Sequence, residues 1–322
     1  MEITLALDRY DRHVPLFLGA VAPPAGLAYR ALEVGMVPPR RDGIDRHGRM
    51  LKHLEFDAAE VSLASYILAK ARGAPLTAVP VFPRRLFSQN HVFAHRGAGI
   101  RRPQDLAGRR VGLWAFQVTM SVLAKGDLKS FYGVPWESIR WVTQFPEEIE
   151  WSAPGLALER TAPGQDLAQM LVDGEIDAYI HPHPPALVQE RTDRVARLFD
   201  DPEAECRRYF AERGYYPIMH LVAVKTELVR RRPTLPRELM HLLEEAKRQA
   251  YDFYHDPGYA LLAFARTAYE RQLQALGRDP WTAGLAANRA NLERFIADLV
   301  DQRLLARPVA PASLFHESVL DT

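Results

Sequence analysis

At 322 residues the chain is long enough to bury a large core, and its length predicts two domains. A composition of 48% hydrophobic and 25% charged residues is that of an ordinary globular protein, and a net charge of +1 gives no reason to expect a nucleic-acid or membrane partner. The single cysteine, Cys206, excludes an internal disulfide and a cysteine-rich metal site. No stretch approaches the ~20 apolar residues that span a bilayer. No secretory signal is visible either, because the opening apolar run meets Asp8 and Arg9 at once, so the expected location is the cytoplasm.

Residues 2–7 alternate like a first strand. The polar loop Asp8-Arg9-Tyr10-Asp11-Arg12-His13 follows, either a solvated turn or a binding loop offering Tyr10 and Arg12. Pro23-Pro24 and Pro38-Pro39 punctuate a connecting segment, and residues 44–54 fit a helix. Residues 56–66 pass from strand into helix, with Ser62 or Ser65 as the cap. The orphan amides of such a helix start favour anions. Residues 76–82 form an apolar strand that runs out into Arg84 and Arg85, and 91–95 continue extended from His91.

Strands are then expected at 109–114, 139–142, 176–180 and 195–199, with helices at 116–132, 166–172 and 185–191 between them. Residues 95–215 thus read as β-α-β-α-β-α-β, which predicts a largely parallel sheet with helices on both faces. One more strand, 215–224, carries Tyr216 and His220. Three amphipathic segments close the chain at 236–254, 258–276 and 282–299. Their apolar faces are expected to bury against the first lobe or a second copy of the chain, making a homo-oligomer.

The 176–180 strand stops abruptly at His181-Pro182-His183-Pro184-Pro185, where the prolines forbid its continuation. Ligands of open α/β sheets bind beyond the carboxyl ends of strands, so His181 and His183 are candidate site residues. A His-x-His pair on a strand end puts both imidazoles on the same side, so a divalent metal with a third ligand from His220, His91 or Glu60 is weighed against plain proton transfer and mere turn structure. No phosphate-binding loop, nucleophile elbow or dinucleotide fingerprint occurs.

The order of elements resembles the two-lobed, type II periplasmic-binding-protein-like fold. That resemblance implies an α/β chain with a second lobe (95–217) inserted in the first (1–94 with 218–322), a hinge of two connecting strands and a helical tail. More specifically, residues 56–66, Val81-Phe82-Pro83-Arg84-Arg85, 174–178, Tyr216-Pro217-Ile218-Met219-His220 and Asp279-Pro280-Trp281-Thr282-Ala283-Gly284 followed by Asn288-Arg289 resemble the 4,5-dihydroxyphthalate decarboxylase family. The chain departs from the family pattern in four places. Ser88-Gln89-Asn90 stands for an Arg-His-Ser run, and Trp114-Ala115-Phe116-Gln117 for Pro-Glu-Tyr-Gln, leaving Gln117 and Thr119 in common. Arg9 precedes Tyr10, and the two histidines enter a Pro-x-Pro run.

The resemblance implies an enzyme without organic cofactor that decarboxylates a hydroxylated aromatic or related cyclic acid between its lobes. Such chemistry needs cations or amides for carboxylates and groups that move protons. Arginine's planar fork suits the first task, which nominates Arg84, Arg85 and Arg12 beside Ser62 and Ser65. Histidine titrates near neutrality and suits the second, which nominates His220, His181, His183 and His91, with Glu60 to orient one of them. Tyr10 and Tyr216 are candidates for positioning a ring or phenol. The rival reading on the same scaffold is a non-catalytic binding protein for a small acidic or heterocyclic ligand.

Overall fold

The computed structural model describes residues 1–35, 46–152, 155–156, 158–256, 258 and 260–322. Its strands are β1 (Glu2–Leu7), β2 (Ala28–Glu33), β3 (Ala58–Ser62), β4 (Leu76–Arg85), β5 (Val92–His95), β6 (Arg110–Leu113), β7 (Arg140–Thr143), β8 (Leu158–Arg160), β9 (Ala178–Ile180), β10 (Val195–Arg197) and β11 (Ile218–Lys225). The chain divides into two compact units, 1–85 with 218–292 and 309–322, and 86–217 with 293–308. These boundaries differ from the expected lobes at two places. Residues 86–94 go with the second unit because β5 hydrogen-bonds to β9 and β10, and 293–308 also belong there.

The first unit holds a five-stranded sheet in the order β2-β1-β3-β11-β4. β1 pairs in parallel with β2 and β3, while β11 runs antiparallel between β3 and β4. The register sets Ser62, His220 and Arg84 side by side across three strands, and directly opposed residues share a face. β4 carries Pro80 and Pro83, which a sheet tolerates at an edge strand, and its pairing with β11 shifts on both sides of His220. On the helix Leu235–Asp252, Leu235, Leu239, Leu242, Leu243 and Ala246 follow helical spacing and pack into a core with Leu5, Leu7, Val79 and Val222.

The second unit holds a six-stranded sheet, β10-β5-β9-β6-β7-β8. It is parallel from β9 through β8, but β5 runs antiparallel to both its neighbours, so the sheet is mixed rather than largely parallel. Its core gathers Phe93, Val142, Leu167, Leu171, Ile176 and Tyr179.

Several elements depart from the sequence reading. The segment after Pro23-Pro24 contains β2, an edge strand whose half-exposed residues give little apolar signal; Pro38 and Pro39 lie outside the described residues. Helix 44–54 appears as Arg46–Leu51, its first two positions also outside the described residues. The charged stretch after residue 201 is a helix, Pro202–Arg213, started by Asp201 accepting from the Ala204 N–H (2.9 Å) and by Pro202 at its first position. The helix expected from 116 begins at Thr119, and the one expected from 258 begins at Ala265. No helix among the described residues is long and apolar enough to cross a membrane. Cys206 is buried, and burial, with Glu205 beside it, pushes its thiol up to about 12.

Gly126 lies within the helix Thr119–Ser130, where an added Cβ would sit 2.4 Å from the Asp298 carboxylate. That carboxylate is buried and gripped by Arg294 at 2.6 Å, so it has little room to yield. Alanine would gain up to about 1 kcal/mol in helix propensity, against a clash costing about 1–3 kcal/mol. Gly126→Ala is therefore expected to lower the thermal midpoint, and adding Asp298→Ala to recover part of the loss.

Candidate active site

Every residue of β3 is buried, so a carboxylate in the middle of that strand must be satisfied from within the protein. Glu60 is that carboxylate. Its Oε2 accepts from the Asp8 N–H at 3.1 Å and lies 3.3 Å from Arg46 Nη2. Its Oε1 accepts from the Tyr10 hydroxyl at 3.0 Å and from His220 Nδ1 at 2.5 Å. Arg46, itself fully buried, also donates to the Glu60 carbonyl (2.8 Å) and the Val34 carbonyl (2.5 Å).

These contacts fix protonation states. Burial opposes ionisation of Glu60, but Arg46 and the His220 hydrogen bond outweigh it and hold the carboxyl well below the usual carboxylate range. Burial drives His220 down to about 4; Glu60 pulls the other way, while Arg84 and Arg46 add to the lowering. The imidazole is thus neutral at pH 7. An ionised carboxylate only accepts, so Nδ1 carries the hydrogen and Nε2 presents a lone pair. No described residue bonds to that Nε2. Burial, then Glu60, raises the Tyr10 hydroxyl and keeps it a donor.

Two further imidazoles border the group. The His47 ring meets the His220 ring edge-on, 4.9 Å between centroids, and His47 Nδ1 accepts from the Ser62 N–H at 3.2 Å. His13 donates from Nδ1 to the Asp8 carbonyl at 2.8 Å, and burial pushes it down to about 4. Arg84 is half-buried at the next position of the Ser62–His220 row, near enough for its charge to act on Tyr10, His47 and His220. The helix Leu63–Ala71 starts directly at the end of β3; Ser62 caps it, accepting from the Ser65 N–H at 3.5 Å, and Ser65 Oγ donates to Ser62 Oγ at 3.3 Å.

Comparison with known proteins identifies the lineage. A family described as NMT1/THI5 like matches residues 33–130. The 4,5-dihydroxyphthalate decarboxylase of Comamonas testosteroni is 31% identical over 335 aligned positions, covering 100% of this chain and 98% of that protein. The chain belongs to the 4,5-dihydroxyphthalate decarboxylase family. The Pseudomonas putida protein of the same name is also 31% identical, over 67% of this chain and 83% of its own. Membership makes the chain an enzyme of the carboxy-lyase kind.

Solved structures show the fold. The periplasmic aliphatic sulphonate binding protein SsuA from Escherichia coli covers 100% of this chain and 99% of its own, with a TM-score of 0.57 at 13% identity. The desulfurization enzyme DSZB covers 99% and 98%, with a TM-score of 0.52 at 18% identity. The type II periplasmic-binding-protein-like fold expected from the sequence is the fold of this decarboxylase-family chain.

Of the residues nominated from sequence, the first unit gathers Glu60, His220, Tyr10, Ser62, Ser65 and Arg84. Arg12 stands one step away, its guanidinium between the rings of Tyr10 (4.3 Å) and Trp281 (4.0 Å), with Nε donating to the Pro83 carbonyl at 2.7 Å. It borders a cavity of about 270 Å³ lined by Tyr251, Tyr254, Tyr269 and Trp281, which neither His220 nor Glu60 enters. Arg85 turns elsewhere, donating to Asn288 (2.6 Å) and to the Thr282 carbonyl (2.9 Å), so Arg84 is the member of that pair beside His220.

The remaining nominees lie in the second unit. His181 Nδ1 accepts from the His183 N–H at 3.0 Å, a turn rather than a continued strand, and the two rings stand 6.1 Å apart. Among the described residues no three His, Cys, Asp or Glu side chains converge as a metal ion would require. His91 Nδ1 donates to the His181 carbonyl at 3.1 Å. Both ends of the Gln117 amide are taken by the backbone of Ile149, and Tyr216 stacks on Phe87. Thr119 is buried at the start of its helix. Next to Ala115, Glu147 accepts from the Phe116 (2.8 Å) and Gln117 (2.9 Å) amides.

Sequence reasoning gave no role to Arg46 or His47. The signal was present: Arg46 and His47 share a helix face with Met50 and Leu51 at spacings of three and four, and that face is buried.

A histidine buried neutral makes stability fall in acid. Between the ordinary value of 6.5 and the folded value of about 4 the unfolded chain binds more protons than the native one, so stability is full above 6.5 and is lost as pH falls toward 4. For His13 the loss is about 3 kcal/mol. Urea unfolding between those limits is expected to show a falling midpoint, and His13→Asn, which keeps a donor for the Asp8 carbonyl, to flatten the slope.

Proposed function

We propose that the protein is a cofactor-independent decarboxylase of a hydroxylated aromatic or related cyclic carboxylic acid. His220 moves the proton, Glu60 positions His220, and Arg84 with the helix-start amides near Ser62 and Ser65 grips carboxylate. One observation carries this reading: Glu60 holds His220 in the tautomer that leaves Nε2 a base, in the same cross-strand row as Arg84 and Ser62.

Loss of CO₂ leaves an electron pair on a ring carbon, and a hydroxyl ortho or para to the carboxylate provides its sink. His220 Nε2 takes the phenolic proton while the carbon bearing the carboxylate gains one, giving a ketone-like intermediate. The C–CO₂ bond then breaks, its electron pair restores the aromatic ring as a phenolate, and the phenolate recovers a proton from His220. One C–C bond is lost, one C–H bond is formed and one solvent proton is consumed.

The arrangement resembles the logic of other carboxylate–imidazole pairs, in which an acidic group fixes the ring and stabilises the imidazolium that forms. Burial of Glu60 makes it effective, because its charge is little screened.

Incubation with hydroxylated aromatic acids, 4,5-dihydroxyphthalate first, is expected to release CO₂ and yield a product bearing hydrogen at the vacated position. Full recovery of the bound acid would instead favour the binding-protein alternative. His220→Ala is expected to lower kcat by about 100-fold or more, and Glu60→Gln by about 10- to 100-fold. Undiminished turnover by His220→Ala would remove the assignment.

A further inference from the structure

The cavity beside Arg12 lies wholly within the first unit and takes no part in the mechanism above. Two helices wall it. Leu235–Asp252 contributes Ala250 and Tyr251, and Ala265–Leu276 contributes Ala265, Ala268, Tyr269 and Gln272. Tyr254 and Trp281 complete a ring-lined surface. The Tyr254 and Tyr269 rings stack 5.8 Å apart, and Tyr251 meets Tyr269 at 6.2 Å. At about 270 Å³ the space falls just below the roughly 300 Å³ at which pockets for drug-sized ligands begin, which suits a single ring. Planar rings pack well on such walls.

The charged groups of the lining are already paired. Arg12 Nη1 lies 3.2 Å from Asp11. Lys247 Nζ donates to Asp279 (2.6 Å) and to the Trp281 carbonyl (3.1 Å), and pairs with Glu244 at 2.9 Å. Tyr254 donates to Asp11, and Tyr251 donates to Asp279 at 3.2 Å. Burial opposes ionisation of Asp11, but the Tyr254 hydrogen bond and Arg12 outweigh it and keep the carboxyl below its ordinary value. The Tyr269 hydroxyl and the Gln272 amide border the same space and have no hydrogen-bond partner among the described residues. Each of these two groups both donates and accepts, and offers a dipole rather than a charge.

We propose that this cavity binds an uncharged, one-ring phenol, with the ring among Tyr251, Tyr254 and Trp281 and the hydroxyl on Tyr269 and Gln272. A phenolic hydroxyl donates one hydrogen bond and accepts others, which matches the unsatisfied hydroxyl and amide. A carboxylate would bring its charge to a lining whose cations already have carboxylate partners, and would exchange hydration for dipoles alone. An organic cation is disfavoured by Arg12, whose guanidinium already covers the Trp281 face at 4.0 Å. The site is separate from the His220 group, and no bond is made or broken in it. A hydroxylated aromatic acid with a single carboxylate becomes such a phenol on losing CO₂. The decarboxylase reading would thus supply the ligand, but binding does not depend on it.

Calorimetric titration of the whole protein with phenol tests this, with toluene, benzoate and tetramethylammonium as comparisons. Phenol is expected to bind about 10-fold or more tighter than either ion, and Ala265→Phe, which puts a ring into the hollow, to abolish its binding. No phenol binding at millimolar concentration, equal affinity for either ion, or unchanged affinity in Ala265→Phe overturns the proposal. Tyr269→Phe combined with Gln272→Leu is expected to weaken phenol by about 10-fold while leaving toluene unchanged. Equal losses for both compounds, or none for phenol, overturn it too. Should Ala265→Phe fail to fold, the half-buried pair Tyr269 and Gln272 still decides. His220→Ala is expected to bind phenol like the wild type; a loss there would move phenol to the His220 group and overturn the separate site. No arm measures turnover, so absence of phenol binding leaves the decarboxylase reading standing, and absence of decarboxylation leaves the phenol site standing.

Discussion

The constraint on which the first unit depends is the desolvated charge of Glu60. An ion in the middle of a fully buried strand costs several kcal/mol unless partners surround it, and here they come from everywhere the chain can reach. Asp8 and Tyr10 arrive from the loop after β1, Arg46 from the helix before β3, and His220 from the strand beside it. Structural and chemical demands therefore coincide on one residue. The contacts that make the carboxylate tolerable also ionise it, and the ionised carboxylate sets the tautomer of His220.

Sheet register carries that arrangement across to His220 and Arg84. Side chains alternate along a strand, so a slip of one residue between β3 and β11 would send His220 to the opposite face from Glu60 and Ser62. On its other side β11 meets a strand interrupted by two prolines, and the pairing is irregular around His220 itself. The rigid partner is thus β3, while the β4 side has the irregular backbone that brings Arg84 into the row. The proposed function draws on this geometry, with His220 held against β3 on one side and Arg84 on an irregularly paired edge strand on the other.

The sequence made much of this legible, for identifiable reasons. In the buried strands β3 and β11, Glu60 and His220 stand among mostly apolar neighbours, Glu60 in a stretch that resembles the decarboxylase family and His220 as a group that titrates near neutrality. Resemblance to the decarboxylase family drew attention to the same stretches. Arg46 and His47 carry a signal only in their spacing to Met50 and Leu51, and over a six-residue helix that pattern is too short to stand out from chance. His181 and His183 lie in the second unit, where the prolines turn the backbone and the His183 N–H donates to His181 Nδ1, so the strand-end spacing weighed for a metal is not the geometry found there. The helix Pro202–Arg213 escaped notice because its surface is charged nearly all round, and β2 because an edge strand of half-exposed residues carries no apolar pattern.

The position of β11 has a consequence for how the molecule comes into being. During synthesis β3 and β4 emerge more than a hundred residues before the strand that lies between them, so each waits with an open, hydrogen-bonding edge. Glu60 waits with them, its imidazole partner 160 positions away along the chain. The nascent protein therefore passes through a prolonged stage in which its most expensive charge lacks one of its four partners. Completion of the shell around Glu60 and closure of the sheet are one event, timed by the arrival of a single late strand.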